Sequence, residues 1–449
     1  MIPAHVILQR FDLPVPLPAI LAGAVTVVLL SFLLIYILPT PERKLPSSDG
    51  DLPWIIHLVL RLVGLSYLVF LLLVALLGRQ VLVLNASSIL FWVWTIPLLP
   101  ISNAILGGTY FAASPYRTLA LLIRKTFRIK DSLVQDSGTF LQKVGYWPVV
   151  IQLLVLVWLE LAFKPVANSP YFLGLLILGY TLFQVLVGVL LGEDWFGLGE
   201  VWQVLCGLAS NVALFSIVED QGSLFFQKGT TQNQMVLLDR GREALITLWL
   251  AGVLADGIRA TPLWDGIVTY FQPQSLSITA HFGAFAGIDL GDLLLDSSEI
   301  LVTWFVFGIF FVIFSFLASW LGKLSFSQVT KAVSLSLVPI SLAYLFAHSF
   351  TQIMVIGPLV FQAAAANVDA TKVYEANKHI LSPGIIWWLQ VGAIVLGHIM
   401  AVYMAHHRIR EVQDRKSLAL NADLAWLFAM LIYTATSLWV LAQPITNAP

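Results

Sequence analysis

Several ionisable side chains sit in otherwise apolar stretches: Glu160 in VWLELAF, Asp256 and Arg259 in VLADGIRATPLW, His348 in VPISLAYLFAHSF and His398 in VLGHIMA. A carboxylate beside an imidazole can hydrolyse a substrate through activated water. His348 would then be base or ligand, and Asp256 ligand or orienting acid, with Glu299 as a third group. Imidazoles and carboxylates also suit a divalent metal ion, and His281, His348 and His379 are the histidines that could hold one. Placed in series, the same kinds of group form polar steps for an ion or solute; here the series is Glu160, Tyr344, Arg259, Asp256, His348 and His398.

Each residue also has a plainer reading. Asp256 and Arg259 are three apart on one helix and can neutralise each other. Glu299 follows Ser297 and Ser298, as an acid satisfying a helix N-terminus would. Glu160 has no partner nearby in sequence and must find one across helices. His398 follows Gly397 and suits a packing hydrogen bond. His406, His407 and Arg408 need only the helix dipole and lipid headgroups. Tyr344 lies one turn before His348 on the same face, and Pro339 removes a backbone donor that can kink their helix.

The medium follows from composition. Of 449 residues, 59% are hydrophobic and 11% charged, against about 45–50% and about 25% in soluble domains. Such a chain is expected in a bilayer as an all-α polytopic bundle forming one integral membrane domain over 1–449. Net charge is −1, which gives no footprint for nucleic acid. One cysteine excludes an internal disulfide framework. The N-terminal MIPAHVILQRFDLPVPLP lacks the basic start and cleavage site of a signal peptide, so the first apolar run reads as a retained helix.

A span needs about 20 apolar residues. Ten stretches qualify: 17–38, 55–77, 88–112, 146–163, 170–191, 243–260, 299–322, 331–352, 383–405 and 421–441. Residues 201–218 are long enough to be an eleventh or a re-entrant segment, but carry Gln203, Ser210 and Asn211. Basic residues gather on cytoplasmic loops, and the loops after the third and ninth spans are both basic. Ten spans put them on one face with both termini outside. The segment 114–145 alternates basic and apolar residues as a cytoplasmic interfacial helix, and 261–298 reads as an outer loop region. Glu160, Asp256, Glu299 and His348 then cluster near the outer face. His398 lies roughly 15 Å deeper than His348 at 1.5 Å per residue, so the two cannot share one metal or haem iron.

The chain lacks GxxxxGK[ST], HExxH, GxSxG and CxxC motifs. Its segments DGIRATPLW, LVPISLAYLFAHSF and WWLQVGAIVLGHIMAVYMAHHR resemble a family of bacterial membrane proteins labelled fenitrothion hydrolase. The likeness runs in order over most of the chain, through FWVWTIPLLPISNAILGG, SPYRTL, WPVVIQLLVLVWLEL, GEDWFGLGEVW and YTATSLWVLAQP. It implies a multi-pass enzyme of the bacterial inner membrane that hydrolyses a phosphotriester and works with partner membrane subunits. Where members carry a second polar group in the His348 helix this chain has Leu345, which weakens transfer of a metal site. The first reading is a hydrolase with an outward-facing acid–histidine pocket; the alternative is a solute or ion permease, and the third is a non-catalytic subunit of a membrane complex.

Overall fold

The computed structural model describes residues 16–37, 48–129, 133–134, 136–165, 169–220, 223–228, 240–366 and 381–443. The chain is an all-α polytopic bundle. Its main helices are α1 (Leu17–Ile37), α2 (Trp54–Leu77), α3 (Ala86–Ile105, with a π-helical stretch Ile89–Thr95), α4 (Pro115–Thr126), α5 (Ser137–Val144), α6 (Trp147–Leu161), α7 (Pro170–Leu191), α8 (Val201–Ala209), α9 (Arg242–Arg259), α10 (Pro262–Phe282), α11 (Leu290–Gly322), α12 (Phe326–Val333), α13 (Leu337–Val355), α14 (Pro383–Val412) and α15 (Lys416–Leu441). Among the described residues eight helices are long and apolar enough to cross a membrane. The number becomes ten if the bent pairs α5–α6 (55°) and α9–α10 (78°) are each one crossing.

Apolarity is distributed as a bilayer solvent requires. α2 turns Ile55, Leu58, Val59, Leu62, Val63 and Phe70 outward and buries Leu68, Leu71 and Ala75; an outward apolar face has no penalty in lipid. The α12–α13 segment is the most enclosed of these eight, with 83% of its apolar stretch buried. Its break is the 3-10 turn Ser334–Ser336. Pro339 falls in the first turn of α13, where a missing N–H has no partner to lose. α9 ends at Arg259, and Thr261 then caps α10 by accepting from the Trp264 N–H at 3.3 Å.

Four short strands form a sheet of order β1–β4–β3–β2: β1 (Ser48–Leu52), β2 (Leu106–Gly107), β3 (Phe215–Asp220) and β4 (Ser223–Lys228). β2 pairs in parallel with β3, Leu106 opposite Phe215. The sheet thus joins the connections after the first, third and fifth spans, which a ten-span chain leaves on one face. It also decides the segment 201–218. α8 has 9 residues, about 13 Å at 1.5 Å per residue, and leads through a 3-10 turn into β3 instead of crossing.

Two expected segments differ. Residues 261–298, read as loop, hold the 21-residue α10, a small hairpin (Ala284–Phe285 with Ile288–Asp289) and the first turns of α11. Within 114–145, Arg117 and Arg124 of α4 are buried instead of reaching headgroups. Arg117 donates to both carboxylate oxygens of Glu219 on β3, at 2.8 and 3.2 Å, and Arg124 donates to the Val189 carbonyl at 2.6 Å. These bonds tie α4 to the sheet and to α7.

Candidate functional site

The ends of α6 and α9 lie side by side with the C-terminal half of α13. Gly252 admits this approach, because a Cβ there would stand 2.9 Å from Val157 Cγ2. Three residues past Val157 is Glu160, and four past Gly252 is Asp256, so both acids reach the same level. α13 brings His348 to them: its Nε2 stands 2.5 Å from Asp256 Oδ2. The Tyr344 ring lies parallel to the imidazole, 6.1 Å away with a 9° tilt. Gly257, next to Asp256, leaves room for that tyrosine, since a Cβ there would overlap Tyr344 Oη.

Glu160, Asp256 and His348 face one cavity of about 70 Å³, together with Ser349 and Gln352. Its remaining wall is apolar, with Trp92, Trp202 and Trp249 prominent. A water needs roughly 10–15 Å³ of such space, so the cavity has room for a few waters or a small cation.

Arg259 donates to partners on other helices. Its Nε donates to Glu299 Oε2 at 2.5 Å, Nη1 to the Leu161 carbonyl at 2.6 Å, and Nη2 to the Asp296 carbonyl at 3.4 Å. Asp296 adds a carboxylate 3.4 Å from Nη2. One guanidinium thus ties α6, α9 and α11 together, and Asp256 turns to the histidine. The N-terminal role for Glu299 is corrected too. α11 starts at Leu290, so Glu299 lies more than two turns inside it, and Ser297 and Ser298 hydrogen-bond back to Leu293 and Leu295 within the helix. Nor does Glu299 line the cavity.

Of the proposed metal set, only His281 and His348 are among the described residues, and they join no metal-binding group there. His281 is exposed at the end of α10 against Phe282, and His379 lies outside the described residues. Among the described residues no three His, Cys, Asp or Glu side chains come together to hold a metal ion. His398 is fully buried, its Nδ1–H donating to the Ile394 carbonyl at 2.7 Å. Two contacts set its depth: Gln390 donates to the Ala347 carbonyl at 2.7 Å, and Gly397 packs on Ala343 and Pro339. α13 and α14 are therefore antiparallel, and His398 lies eight residues, about 12 Å, from the level of His348.

The sequence reading missed a second acid–histidine pair. His406, assigned above to headgroups, is buried, and its Nδ1 stands 2.7 Å from Oδ2 of Asp423, also buried, on α15. The available signal was an aspartate inside the tenth apolar stretch. Glu200 was missed as well: fully buried, it accepts from the Trp202 and Gln203 amides and from Tyr180 Oη. That gives the GEDWFGLGE stretch a capping role.

No family model, curated protein or solved structure matches this chain.

Proposed function

We propose that this multi-pass membrane protein is a permease for a small cation, protons included, with Asp256, His348 and Glu160 forming its entry site. The observation that carries this reading is the cavity: about 70 Å³, lined by α3, α6, α8, α9 and α13, with three ionisable groups facing it. Ionisable groups inside a bundle are costly and mark ion paths and proton relays. Sites for organic ligands measure about 300–1,000 Å³, so an aryl phosphotriester would need a much larger opening. The Asp256–His348 contact also suits water activation, which is what the resemblance to fenitrothion hydrolases would use, but the volume favours an ion over a triester. By the loop charges, the entry site and both termini face out, and the resemblance to the fenitrothion hydrolases implies a bacterial inner membrane.

The test is flux of H⁺, Na⁺ and K⁺ in proteoliposomes. Asp256→Asn is expected to lower the transported cation's flux about a hundredfold, the scale of losing a positioned proton-transfer group, while the variant still elutes as a single species. Wild-type liposomes indistinguishable from empty ones would reject the permease, and triester hydrolysis above the empty-membrane rate would restore the enzyme. Orientation has its own check: a reporter fused after Pro449 is expected to read as periplasmic, and a cytoplasmic signal would reverse the bundle.

A further inference from the structure

Two acid–histidine pairs lie at opposite ends of the bundle. His348 is seven residues from the end of α13, about 10 Å. His406 is six residues from the far end of α14, about 9 Å. Eight residues of α14 separate His398 from the level of His348, and eight more separate it from His406, so His398 lies midway. The far pair approaches that end of the bundle, for the His406 ring meets Phe32 and the partly exposed Tyr36 of α1 edge-on, each at 6.4 Å.

Between the pairs, buried polar atoms are left without a hydrogen-bond partner among the described residues: Tyr344 Oη, His398 Nε2, Ser334 Oγ and, within the far pair, Asp423 Oδ1. Tyr344 is one turn inward from His348, and the Ser334–Ser336 turn packs on α14. Orphaned buried donors and acceptors are rare in proteins, and bilayer lipid cannot satisfy them. Water between helices can, and α13 and α14 present these atoms in sequence from one pair toward the other.

We propose that His406–Asp423 is the second proton-exchange site of a relay that begins at Asp256–His348 and runs past Tyr344 and His398. The inference rests on the permease reading and names its ion as the proton. Each transfer breaks one N–H or O–H bond and forms the next. A proton bound at Asp256 or His348 is thus matched by one released from His406 or Asp423, and the groups return to their starting state as the hydrogen bonds reverse. The gradient across the membrane supplies the driving force. Arg410, one turn beyond His406, acts electrostatically on Asp423, and His407 lies against the His406 ring. These groups place a fixed positive charge and a further imidazole beside the far pair.

The test uses the full chain in phosphatidylcholine–phosphatidylglycerol liposomes enclosing a pH-sensitive dye, with the potential clamped by potassium and valinomycin. Asp423→Asn and His406→Gln are each expected to lower proton flux about a hundredfold, and Asp423→Glu to retain part of it. If the variants fail to fold, dicyclohexylcarbodiimide on the wild type decides. It reacts with protonated carboxyls in apolar surroundings and is expected to modify Asp423 while blocking flux. Wild-type proton flux that survives modification of Asp423, or is unchanged in both folded variants, overturns the relay. Sodium or potassium flux without proton flux overturns it too and leaves the entry site standing. No flux of any of the three ions overturns both.

Discussion

Arg259→Ala is expected to destabilise the protein by about 3–5 kcal/mol, the usual consequence of removing one partner from a buried ion pair. The loss falls on three groups at once. Glu299, whose side chain is 2% exposed, keeps a buried carboxylate with no cation, Asp296 loses the guanidinium 3.4 Å away, and the Leu161 carbonyl loses its donor. Lys164, 3.4 Å from Asp296, offsets only the outer part. Arg259→Lys should recover little, since an ammonium cannot present a planar fork to partners on two other helices. The double variant Arg259→Ala/Glu299→Ala should be more stable than the single one, because no buried charge is then left alone. Thermal unfolding in detergent measures all three. A single variant melting with the wild type would mean that the network does not hold α6, α9 and α11 together.

That network shows where sequence reading succeeds and where it stops. Hydropathy places the spans because every stretch long enough to cross must be apolar on its lipid side, whatever its neighbours. The same argument places Glu160, Asp256 and His348 at one end of the bundle, since depth follows from counting residues along helices. Pairing is different. Local spacing favours Asp256 with Arg259, three residues apart, yet the arginine reaches across to α11 and the aspartate to α13. Nothing in i,i+3 spacing records which helix stands opposite. Glu299 was misplaced for a related reason: DLLLDSSE reads as polar loop, while in the bundle it forms the first turns of a 33-residue helix. His406 and Asp423 stayed hidden because a histidine in a basic helix end has a sufficient local explanation. Only the packing of α14 on α15 removes it from the headgroups.

The segment 201–218 shows the opposite limit. Its apolarity is real, but it serves burial inside the bundle: Trp202 and Leu205 of α8 line the cavity. Hydropathy cannot tell a side chain facing lipid from one facing protein. The deciding contact, β2 with β3, is between residues 106 and 215, a pairing no local pattern encodes.

The α13–α14 seam sets the register of the histidines, which makes Gly397→Leu the second large effect. A Cβ on Gly397 would overlap Ala343 Cβ and stand 2.8 Å from the Pro339 carbonyl oxygen. A backbone oxygen cannot swing aside as a side-chain tip does, so α14 must move away from α13. Overpacking of this kind costs about 1–3 kcal/mol and more where backbone blocks relief; the leucine is expected at or above the upper figure. Gly397→Ala brings the same Cβ clash without the longer side chain. It should lie between leucine and wild type, its loss reduced by the roughly 1 kcal/mol that alanine gains over glycine in a helix. Gly392, on the same helix, faces open space, and a Cβ added there would meet no atom within 4 Å. Gly392→Ala should therefore keep or raise the melting temperature. Because His398 is the next residue, displacement at Gly397 should also shift its ring and lower proton flux in whatever fraction still folds. Equal melting shifts at 392 and 397 would show that helix propensity, and not the close approach of the two helices, governs this seam.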